Sequence, residues 1–222
     1  MTSYKRLAIA LCFAFALPGA AAVSADELAP GLRMVDEYTI AGEANFLTDF
    51  APVNSDGTIN VVVEIPTGTV AKWEVMKPDG TLKWEFKNGA PRNVKYLGYP
   101  GNYGMLSQTL LSKERGGDGD PLDVLVLGEA VPRGSVVKAK VIGVLKLLDG
   151  GEMDDKIVAV LASSPLAEAD TPEQMDEKFP GILSIVKIWF ESYKGPGELT
   201  SDGYLGPTEA YQVIDAAKAD FK

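Results

Sequence analysis

The stretch that most constrains this chain is an acidic turn that leads directly into an apolar run. Asp118, Asp120 and Asp123 fall within six residues, glycines and a proline separate them, and the β-type run Val124–Leu127 follows. Carboxylates this close repel one another unless a cation lies among them. Because carboxylate oxygens are hard ligands, the turn indicates a site for Mg²⁺, Mn²⁺ or Ca²⁺ at the entrance of a buried strand.

Two simpler hypotheses for this turn are a solvated acidic loop and a calcium loop of the EF-hand type. The third carboxylate and the apolar run that follows argue against the first. The second places Asp118, Asp120 and Glu129 at the first, third and twelfth positions of the loop, which also needs an oxygen ligand at its fifth position and glycine at its sixth. This chain has Leu122 and Asp123 there, so the EF-hand hypothesis is set aside.

The first 25 residues have the pattern of a secretory signal peptide. The apolar run Leu7–Leu17 follows two basic residues, and the small residues Val23 and Ala25 stand at the −3 and −1 positions of a cleavage site. An uncleaved anchor helix is the alternative, but the run is too short to span a bilayer. We therefore expect residues 1–25 to be removed, leaving residues 26–222 as one catalytic domain. The domain would be exported, most simply to a bacterial periplasm, without a stable membrane anchor.

Composition excludes several classes of site. The chain has no His, and its one Cys, Cys12, lies in the predicted signal peptide. Zinc sites built on thiolate or imidazole, Ser-His-Asp catalysis and disulfides are therefore excluded from the remaining chain. The net charge of −10 becomes −12 once the two basic residues of the signal peptide are removed. So acidic a domain is a poor partner for nucleic acid or an anionic membrane, and an anionic substrate would need bridging cations.

Apolar periodicity and turn residues predict a β-rich fold after an extended, turn-containing arm over residues 26–58. The predicted strands are 59–65, 70–75, 82–86, 105–111, 123–127, 136–148 with a bend at Gly143, and 157–162. A second acidic turn, 149–156, joins the last two strands. Two strand-bounded acidic turns in one small domain favour a shared site over two solvated loops.

The last third of the chain changes to helical periodicity. A helix is predicted to begin after Thr171 and to break at Pro180, and a second covers Ile182–Tyr193, with Ile185, Ile188 and Trp189 at helical spacing. A final helix is predicted over residues 207–221. The whole pattern predicts a mainly β, α+β fold in which about five short strands, mostly antiparallel, close into a small barrel with helices packed outside.

The segment Asp118–Val124 has the form D-x-D-P-φ-D-φ, where φ is apolar, and in this form it resembles the signature of the soluble inorganic pyrophosphatases of family I. Further matching segments occur in the family's order: Glu64-Ile65-Pro66, Lys72-Trp73-Glu74, Asn102-Tyr103-Gly104, Gly143 to Lys146, and Tyr193-Lys194. The resemblance runs from about Val61 to Tyr193. It implies a five-stranded barrel of the OB type with flanking helices, in agreement with the pattern above.

The resemblance also implies a set of site residues. The metal ligands would be Asp118, Asp120, Asp123, Asp149 and Asp154, with Glu64 and Glu74 close by. The phosphate-binding groups would be Lys72, Arg92, Tyr103, Lys156, Tyr193 and Lys194. Asp120 would contact the attacking water as the general base, and Lys72, Arg92 and Tyr103 would act with it in catalysis.

Some positions depart from the family pattern or leave a choice open. Counting from Lys146 places the second-turn acid on Asp154 rather than Asp155, and Lys87 is a rival for the role given to Arg92. Gly150 stands where the family often has an acid, which would loosen a metal. The loop 112–117 is longer than in compact bacterial members.

By resemblance, the function is Mg²⁺-dependent hydrolysis of inorganic diphosphate to two orthophosphates by direct attack of a metal-activated water. Mn²⁺ or another divalent cation could replace Mg²⁺, and Ca²⁺ is expected to inhibit. The family implies a homodimer or homohexamer, with the helix Ile182–Tyr193 as a candidate contact. Two alternatives stay open: a broader polyphosphate or nucleotide phosphohydrolase, and a non-enzymatic Ca²⁺-binding OB module.

Overall fold

The structure is a computed structural model that describes residues 27–221. The predicted signal peptide, residues 1–25, lies outside the described residues. The strands of the described chain are β1 (Arg33–Asp36), β2 (Thr39–Ala41), β3 (Ile59–Ile65), β4 (Trp73–Val75), β5 (Leu82–Trp84), β6 (Phe86–Lys87), β7 (Ala90–Pro91), β8 (Asn102–Leu106), β9 (Asp123–Leu127), β10 (Val136–Asp149), β11 (Glu152–Met153), β12 (Lys156–Leu161) and β13 (Leu199–Leu205). The helices are α1 (Pro172–Lys178), α2 (Ile182–Ser192) and α3 (Pro207–Asp220), with short 3₁₀ turns at Lys113–Arg115 and Pro165–Glu168.

Five strands close into a barrel in the order β3, β8, β9, β12, β10 and back to β3. All neighbouring pairs are antiparallel except β9 and β12, which are parallel. Closure depends on the length of β10, whose first residues pair with β3 and whose middle pairs with β12. The predicted bend occurs as a register shift between Val141 and Gly143. The predicted α+β fold with a five-stranded OB-type barrel is therefore confirmed.

Alternating side chains of the barrel strands pack into two different hydrophobic clusters of the core. In β9, Leu125 and Leu127 pack with the residues of α1 and α2, whereas Val124 and Val126 pack with α3. The apolar run that follows the first acidic turn is thus buried on both faces, as its unbroken hydrophobicity predicts. This burial fixes the position of Asp123, the first residue of the strand.

A second, four-stranded sheet in the order β1, β2, β5, β4 lies beside the barrel. The arm over residues 26–58, predicted as extended with turns, contains the strands β1 and β2, which are too short to show a period-two pattern in the sequence. The hairpin of β4 and β5 has the predicted turn at residues 77–81, closed by a bond from the Met76 amide to the Thr81 carbonyl oxygen (2.8 Å). The hairpin projects Lys72 and Glu74 towards the barrel mouth.

The C-terminal helices begin and end close to the predicted positions. The Thr171 hydroxyl caps α1 by accepting a hydrogen bond from the Gln174 amide (3.3 Å). The buried face of α2 is formed by Leu183, Val186, Trp189 and Phe190. Ile185 and Ile188, which the sequence places at helical spacing with Trp189, lie on the exposed face of α2.

One strand of the C-terminal part, β13, is absent from the prediction. Its sequence, LTSDGYL, is mostly polar and lacks a β-type pattern, but the open edge of β10 supplies hydrogen-bond partners for it. Within residues 27–221, no helix has the length and apolar character needed to cross a membrane.

Candidate active site

A cavity of about 380 Å³ opens at the mouth of the barrel, and all thirteen residues predicted for the site line it. We call it the acidic pocket. Its predicted members are Glu64, Lys72, Glu74, Arg92, Tyr103, Asp118, Asp120, Asp123, Asp149, Asp154, Lys156, Tyr193 and Lys194. They come from β3, β4, β8, β9, β10 and β12 and from the segments that precede β4, β9 and β12 or follow β7 and α2, so only the closed barrel brings them together.

The first acidic turn is held in place by backbone hydrogen bonds. The Gly119 amide donates to the Leu111 carbonyl oxygen (2.8 Å), and the Leu111 amide donates to the Asp120 carbonyl oxygen (2.7 Å). Oδ1 of Asp118 accepts a bond from the Asp120 amide (2.9 Å). Gly119 has a φ of +89°, which a side chain would strain, and this explains the glycine between the two acids.

The segment Asn102-Tyr103-Gly104 lies in β8, not in the irregular stretch that the sequence predicts. Asn102 is buried; it accepts hydrogen bonds from the amides of Thr67 (3.2 Å) and Val131 (3.1 Å) and donates one to the Glu129 carbonyl oxygen. A Cβ on Gly104 would lie 1.8 Å from the Val62 carbonyl oxygen. Asn and Gly thus fix the strand on either side of Tyr103.

A buried lysine links the two acidic turns. The ammonium of Lys156 donates to Asp123 and to Asp154, and Tyr103 also hydrogen-bonds to Asp123. Burial acts to raise the pKa of Asp123, but the charges of Lys156 and Lys72 outweigh it and hold that pKa below its ordinary value. Burial raises the pKa of Asp154, which Lys156 only partly offsets. The two carboxylates therefore differ in proton affinity although they share one cation.

Glu64 lies inside the pocket wall with 5% of its surface exposed, although charged residues within strands commonly face solvent. Its Oε1 accepts a hydrogen bond from the Val75 amide (2.7 Å), which ties β4 to β3. Burial raises the pKa of Glu64 to about 8, in spite of the nearby Lys72 charge. Lys72 forms an ion pair with Glu74 (2.8 Å), as their shared strand face predicts.

The opposite wall carries cationic and phenolic donors. Arg92 forms an ion pair with Glu85 (2.6 Å), and Lys194 pairs with Asp149. The ring of Tyr193 stacks on Trp189 at a centroid distance of 4.6 Å. The rival of Arg92, Lys87, lines a neighbouring cavity and does not line the acidic pocket.

Two adjacent acids of the second acidic turn line different cavities. Asp154 lines the acidic pocket, whereas Asp155 is almost fully buried and pairs with Lys146 in a separate cavity of about 330 Å³. The geometry thus agrees with the choice of Asp154. The two acidic turns touch through a bond from the Met153 amide to the Gly116 carbonyl oxygen (3.1 Å), so neither is an isolated solvated loop.

The donor set of the acidic pocket fits a hard divalent cation. Seven carboxylates face five cationic side chains, a formal net charge of −2 with every group ionised, and residues 27–221 contain no thiol and no imidazole. Among residues 27–221 no three acidic side chains converge on one point, because lysine ammonium groups lie between them. The residues that would hold such a cation are the five aspartates of the two turns, with Glu64 and Glu74 beside them.

Sequence reasoning missed one charged member of the pocket. Lys77 lies in the β4–β5 turn, and its ammonium is 2.6 Å from Oδ1 of Asp120. In the sequence it is an ordinary turn residue beside Pro78, and no local signal indicates that it contacts the first acidic turn, where Gly119 lies 42 residues further along the chain.

Comparison with known proteins agrees with this geometry. The sequence profile described as inorganic pyrophosphatase matches residues 61–222, which is most of the chain. The chain belongs to the inorganic pyrophosphatase family. The resemblance carried by the signature Asp118–Val124 is thereby confirmed.

Individual relatives extend this result. The chain is 39% identical over 184 residues to the inorganic pyrophosphatase of Drosophila melanogaster, covering 76% of this chain and 53% of that protein. It is 37% identical over 166 residues to the soluble inorganic pyrophosphatase of Zea mays, covering 72% of this chain and 71% of that one. The inorganic pyrophosphatase structure from Schistosoma japonicum superposes with a TM-score of 0.77 at 28% identity, covering 82% of this chain and 75% of that chain. The chain spans about half the length of several of its curated relatives.

Proposed function

We propose that this pyrophosphatase-family chain hydrolyses inorganic diphosphate to two orthophosphates, with Mg²⁺ as the cofactor and water as the direct nucleophile. One observation carries the proposal: a single pocket holds seven carboxylates together with lysine, arginine and tyrosine donors. Carboxylates alone would suit a calcium module, and cationic donors alone would suit an anion-binding module. Their combination suits a reaction in which a highly charged phosphoanhydride is both neutralised and attacked.

The aspartates of the two acidic turns are proposed to hold the cations. Asp123 and Asp154 are the most enclosed of them, Asp149 is intermediate, and Asp118 and Asp120 are exposed. Bound Mg²⁺ would neutralise substrate charge and lower the pKa of a coordinated water towards neutrality, which supplies the nucleophile in a chain without histidine. Mn²⁺ offers similar coordination, and Ca²⁺, with looser geometry, is expected to inhibit.

Asp120 is proposed as the general base. Its side chain is 61% exposed, so its carboxylate can contact a water at the pocket mouth. Asp118 orients the Asp120 backbone through its bond to the amide. The proton would pass from the attacking water to the Asp120 carboxylate, and no covalent intermediate forms.

The cationic and phenolic wall is proposed to bind the phosphates. Lys72 and Lys156 lie 5.1 and 5.9 Å from the centroid of the Tyr103 ring, so these three donors occupy one side of the pocket. Arg92, Tyr193 and Lys194 line the other side. Donors fixed in this way stabilise charge that develops on the leaving phosphate without reorganising during the reaction.

The test is phosphate release by the purified protein from diphosphate, with no metal, with Mg²⁺ and with Ca²⁺. We expect fast release only with Mg²⁺. Release from tripolyphosphate and ATP in the same assay measures substrate range, and we expect both to be far slower than diphosphate. Metal binding without phosphate release would overturn the proposal in favour of a non-enzymatic calcium module.

We also propose that the chain is exported and that it works as a homo-oligomer, a dimer or a hexamer. The signal-peptide pattern of residues 1–25 supports export to a periplasm, and Ile185 and Ile188, 63% and 58% exposed on α2, support a subunit contact. Fractionation of a bacterial host followed by N-terminal sequencing should find a periplasmic product that begins at Asp26. Light scattering should give a mass of two or six chains, and a cytoplasmic or monomeric product would contradict these proposals.

A further inference from the structure

Lys77 is a cation of the acidic pocket that the proposed mechanism does not use. Its ammonium crosses from the β4–β5 turn to the first acidic turn, 42 residues further along the chain. There it lies 2.6 Å from Oδ1 of Asp120 and donates a hydrogen bond to the Gly119 carbonyl oxygen. One side chain thus contacts both the carboxylate and the backbone of the turn that carries the proposed base.

The backbone from which Lys77 extends is well anchored. The Gly80 amide donates to the Met76 carbonyl oxygen (2.8 Å), and the Thr81 amide donates to Oδ1 of Asp79 (3.2 Å), which closes the turn. The adjoining Val75 amide is bonded to the buried carboxylate of Glu64 in the barrel wall. Lys77 therefore reaches the acidic turn from a position that is fixed relative to the barrel.

The carboxylate of Asp120 lacks any comparable support of its own. Its backbone is bonded through the Leu111 amide and through Oδ1 of Asp118, but its side chain is mostly exposed. In the described part of the chain, Lys77 is the one side chain that contacts this carboxylate. Without Lys77 and without a bound cation, rotation about the side-chain bonds of Asp120 would be limited by solvent alone.

We propose that Lys77 is a positioning residue that holds the Asp120 carboxylate in its working orientation. A lysine that acted only as a counter-ion would contact the Asp120 carboxylate and nothing else in the turn. Lys77 also donates a hydrogen bond to the Gly119 carbonyl oxygen, and so it fixes the carboxylate relative to the backbone of its own turn. The catalytic consequence rests on the proposed function, in which Asp120 receives the proton of the attacking water. The structural consequence, a turn braced by Lys77, does not depend on that function.

The kinetic effect should fall on the chemical step. The groups proposed to bind the phosphates are separate from Lys77, so loss of the brace should leave substrate binding unchanged. A base that samples several orientations is in the productive one for only part of the time. We expect Lys77→Met to lower kcat about tenfold and to change KM for diphosphate by less than twofold.

Two variants serve as comparisons. Lys77→Arg keeps the charge and has enough donors to reach both acceptors, so it should recover kcat to within about threefold of wild type. Lys83→Met removes a lysine from the same hairpin that pairs with Asp79 and does not line the acidic pocket, and it should behave as wild type.

The second readout is amide hydrogen exchange of metal-free protein over residues 111–122, measured by mass spectrometry. We expect faster exchange in Lys77→Met, recovery in Lys77→Arg, and no change in Lys83→Met or in global stability. Unchanged exchange in Lys77→Met, or faster exchange with unchanged kcat, would overturn the proposal. If wild type released no phosphate, the proposed function would fail, while exchange would still decide whether Lys77 braces the turn.

Discussion

Two cavities lie on either side of the β10–β12 connection. Both are lined by aspartate and lysine side chains, but the balance of charge differs between them. The acidic pocket receives Asp154 and Lys156, whereas the neighbouring cavity receives Asp155 and Lys146. We call this second cavity the apolar pocket. Its walls come from Leu110, Leu111, Val144, Leu205, Val213, Ala216 and Ala217, with other residues of α3 at its rim.

The difference between the pockets lies in charge balance. In the apolar pocket Lys146 matches Asp155 and Arg115 matches Asp220 at 3.0 Å, so each cation has one acid as its partner and Glu209 is the one acid in excess. In the acidic pocket seven carboxylates exceed five cations, and Lys156 is shared by two of them. Paired charges contribute to stability at most modestly, whereas an excess of carboxylates costs stability and creates affinity for cations. The candidate site differs from its neighbour in having a larger excess of carboxylates and a lysine that two carboxylates share.

The largest expected effect is on turnover. Asp120→Asn keeps the shape of the side chain but removes the proposed base, so we expect kcat to fall about 1000-fold, within the range typical of a lost general base. Since the residue is exposed, thermal unfolding should shift by no more than about 2 °C. Steady-state phosphate release and a thermal melt measure the two quantities.

The matched control is Asp215→Asn on α3, whose side chain is similarly exposed and distant from the acidic pocket. It should retain full turnover. Near-native turnover in Asp120→Asn would remove the role assigned to this residue and would leave the acidic pocket as a binding site only.

The sequence predicted the acidic pocket far better than the rest of the molecule. Its members lie beside strong local signals: the turn before β9, the glycine-rich turn after β10, and the Asn-Tyr-Gly segment. Each signal requires specific residue types. At Gly104, for example, only glycine fits, because the neighbouring backbone leaves no room for a side chain. A pattern that only one residue type can satisfy is visible without a structure.

What the sequence did not predict depends on distant partners. β13 forms because β10 offers a free edge, and the buried face of α2 is decided by the barrel, so Ile185 faces solvent although its spacing suits a core stripe. Lys77 reaches the first acidic turn at Gly119, 42 residues further along the chain, with no local pattern at the lysine. Such contacts are properties of the closed barrel, and no window of sequence contains both partners.

The next effect concerns proton binding, because burial of Glu64, helped by the nearby carboxylates of Asp123 and Glu74, favours the protonated form of Glu64 in the native state. The pKa of Glu64 rises from 4.5 to about 8 on burial. Between these values the native state holds a proton that the unfolded state has lost, so stability should decrease as pH rises from about 5 to 8. Each pKa unit is worth about 1.4 kcal/mol. We expect a contribution of about 3 kcal/mol, after allowance for relaxation of the site.

The measurement is urea unfolding of metal-free protein from pH 5 to 8, for wild type and Glu64→Gln. The neutral amide cannot titrate, so the difference between the two proteins should shrink or reverse in favour of the variant as pH rises. Parallel curves would show that Glu64 is already ionised in the native state and that the pocket tolerates its surplus charge.

A third prediction separates neighbouring residues by their response to metal. Mg²⁺ that binds only the native state at 100 times its Kd should raise stability by about 2.7 kcal/mol. Asp154→Asn should lose most of this gain, because Asp154 faces the acidic pocket. Asp155→Asn should retain it, since Asp155 faces the apolar pocket. Thermal melts of each variant with and without Mg²⁺ give the comparison. Equal stabilisation of both variants by Mg²⁺ would contradict the assignment of Asp154, and not Asp155, to the metal site.

The smallest expected effect is the stability cost of disturbing the apolar pocket. Asp155→Asn leaves the Lys146 ammonium without its counter-charge beside an apolar wall, but Lys146 is 31% exposed and partly hydrated. We therefore expect a loss of about 1.5 kcal/mol, or a fall in Tm of about 3–6 °C, with turnover within twofold of wild type.

A double variant, Lys146→Met with Asp155→Leu, tests the reason for this loss. If the cost arises from an unmatched charge, removing both partners should recover most of the stability, because a balanced pair can be replaced by apolar side chains of similar size. The same exchange in the acidic pocket would have no such result, since its carboxylates outnumber its cations. Should Asp155→Asn instead abolish turnover while leaving Tm unchanged, the two cavities would form one functional site, and charge balance would not be what distinguishes them.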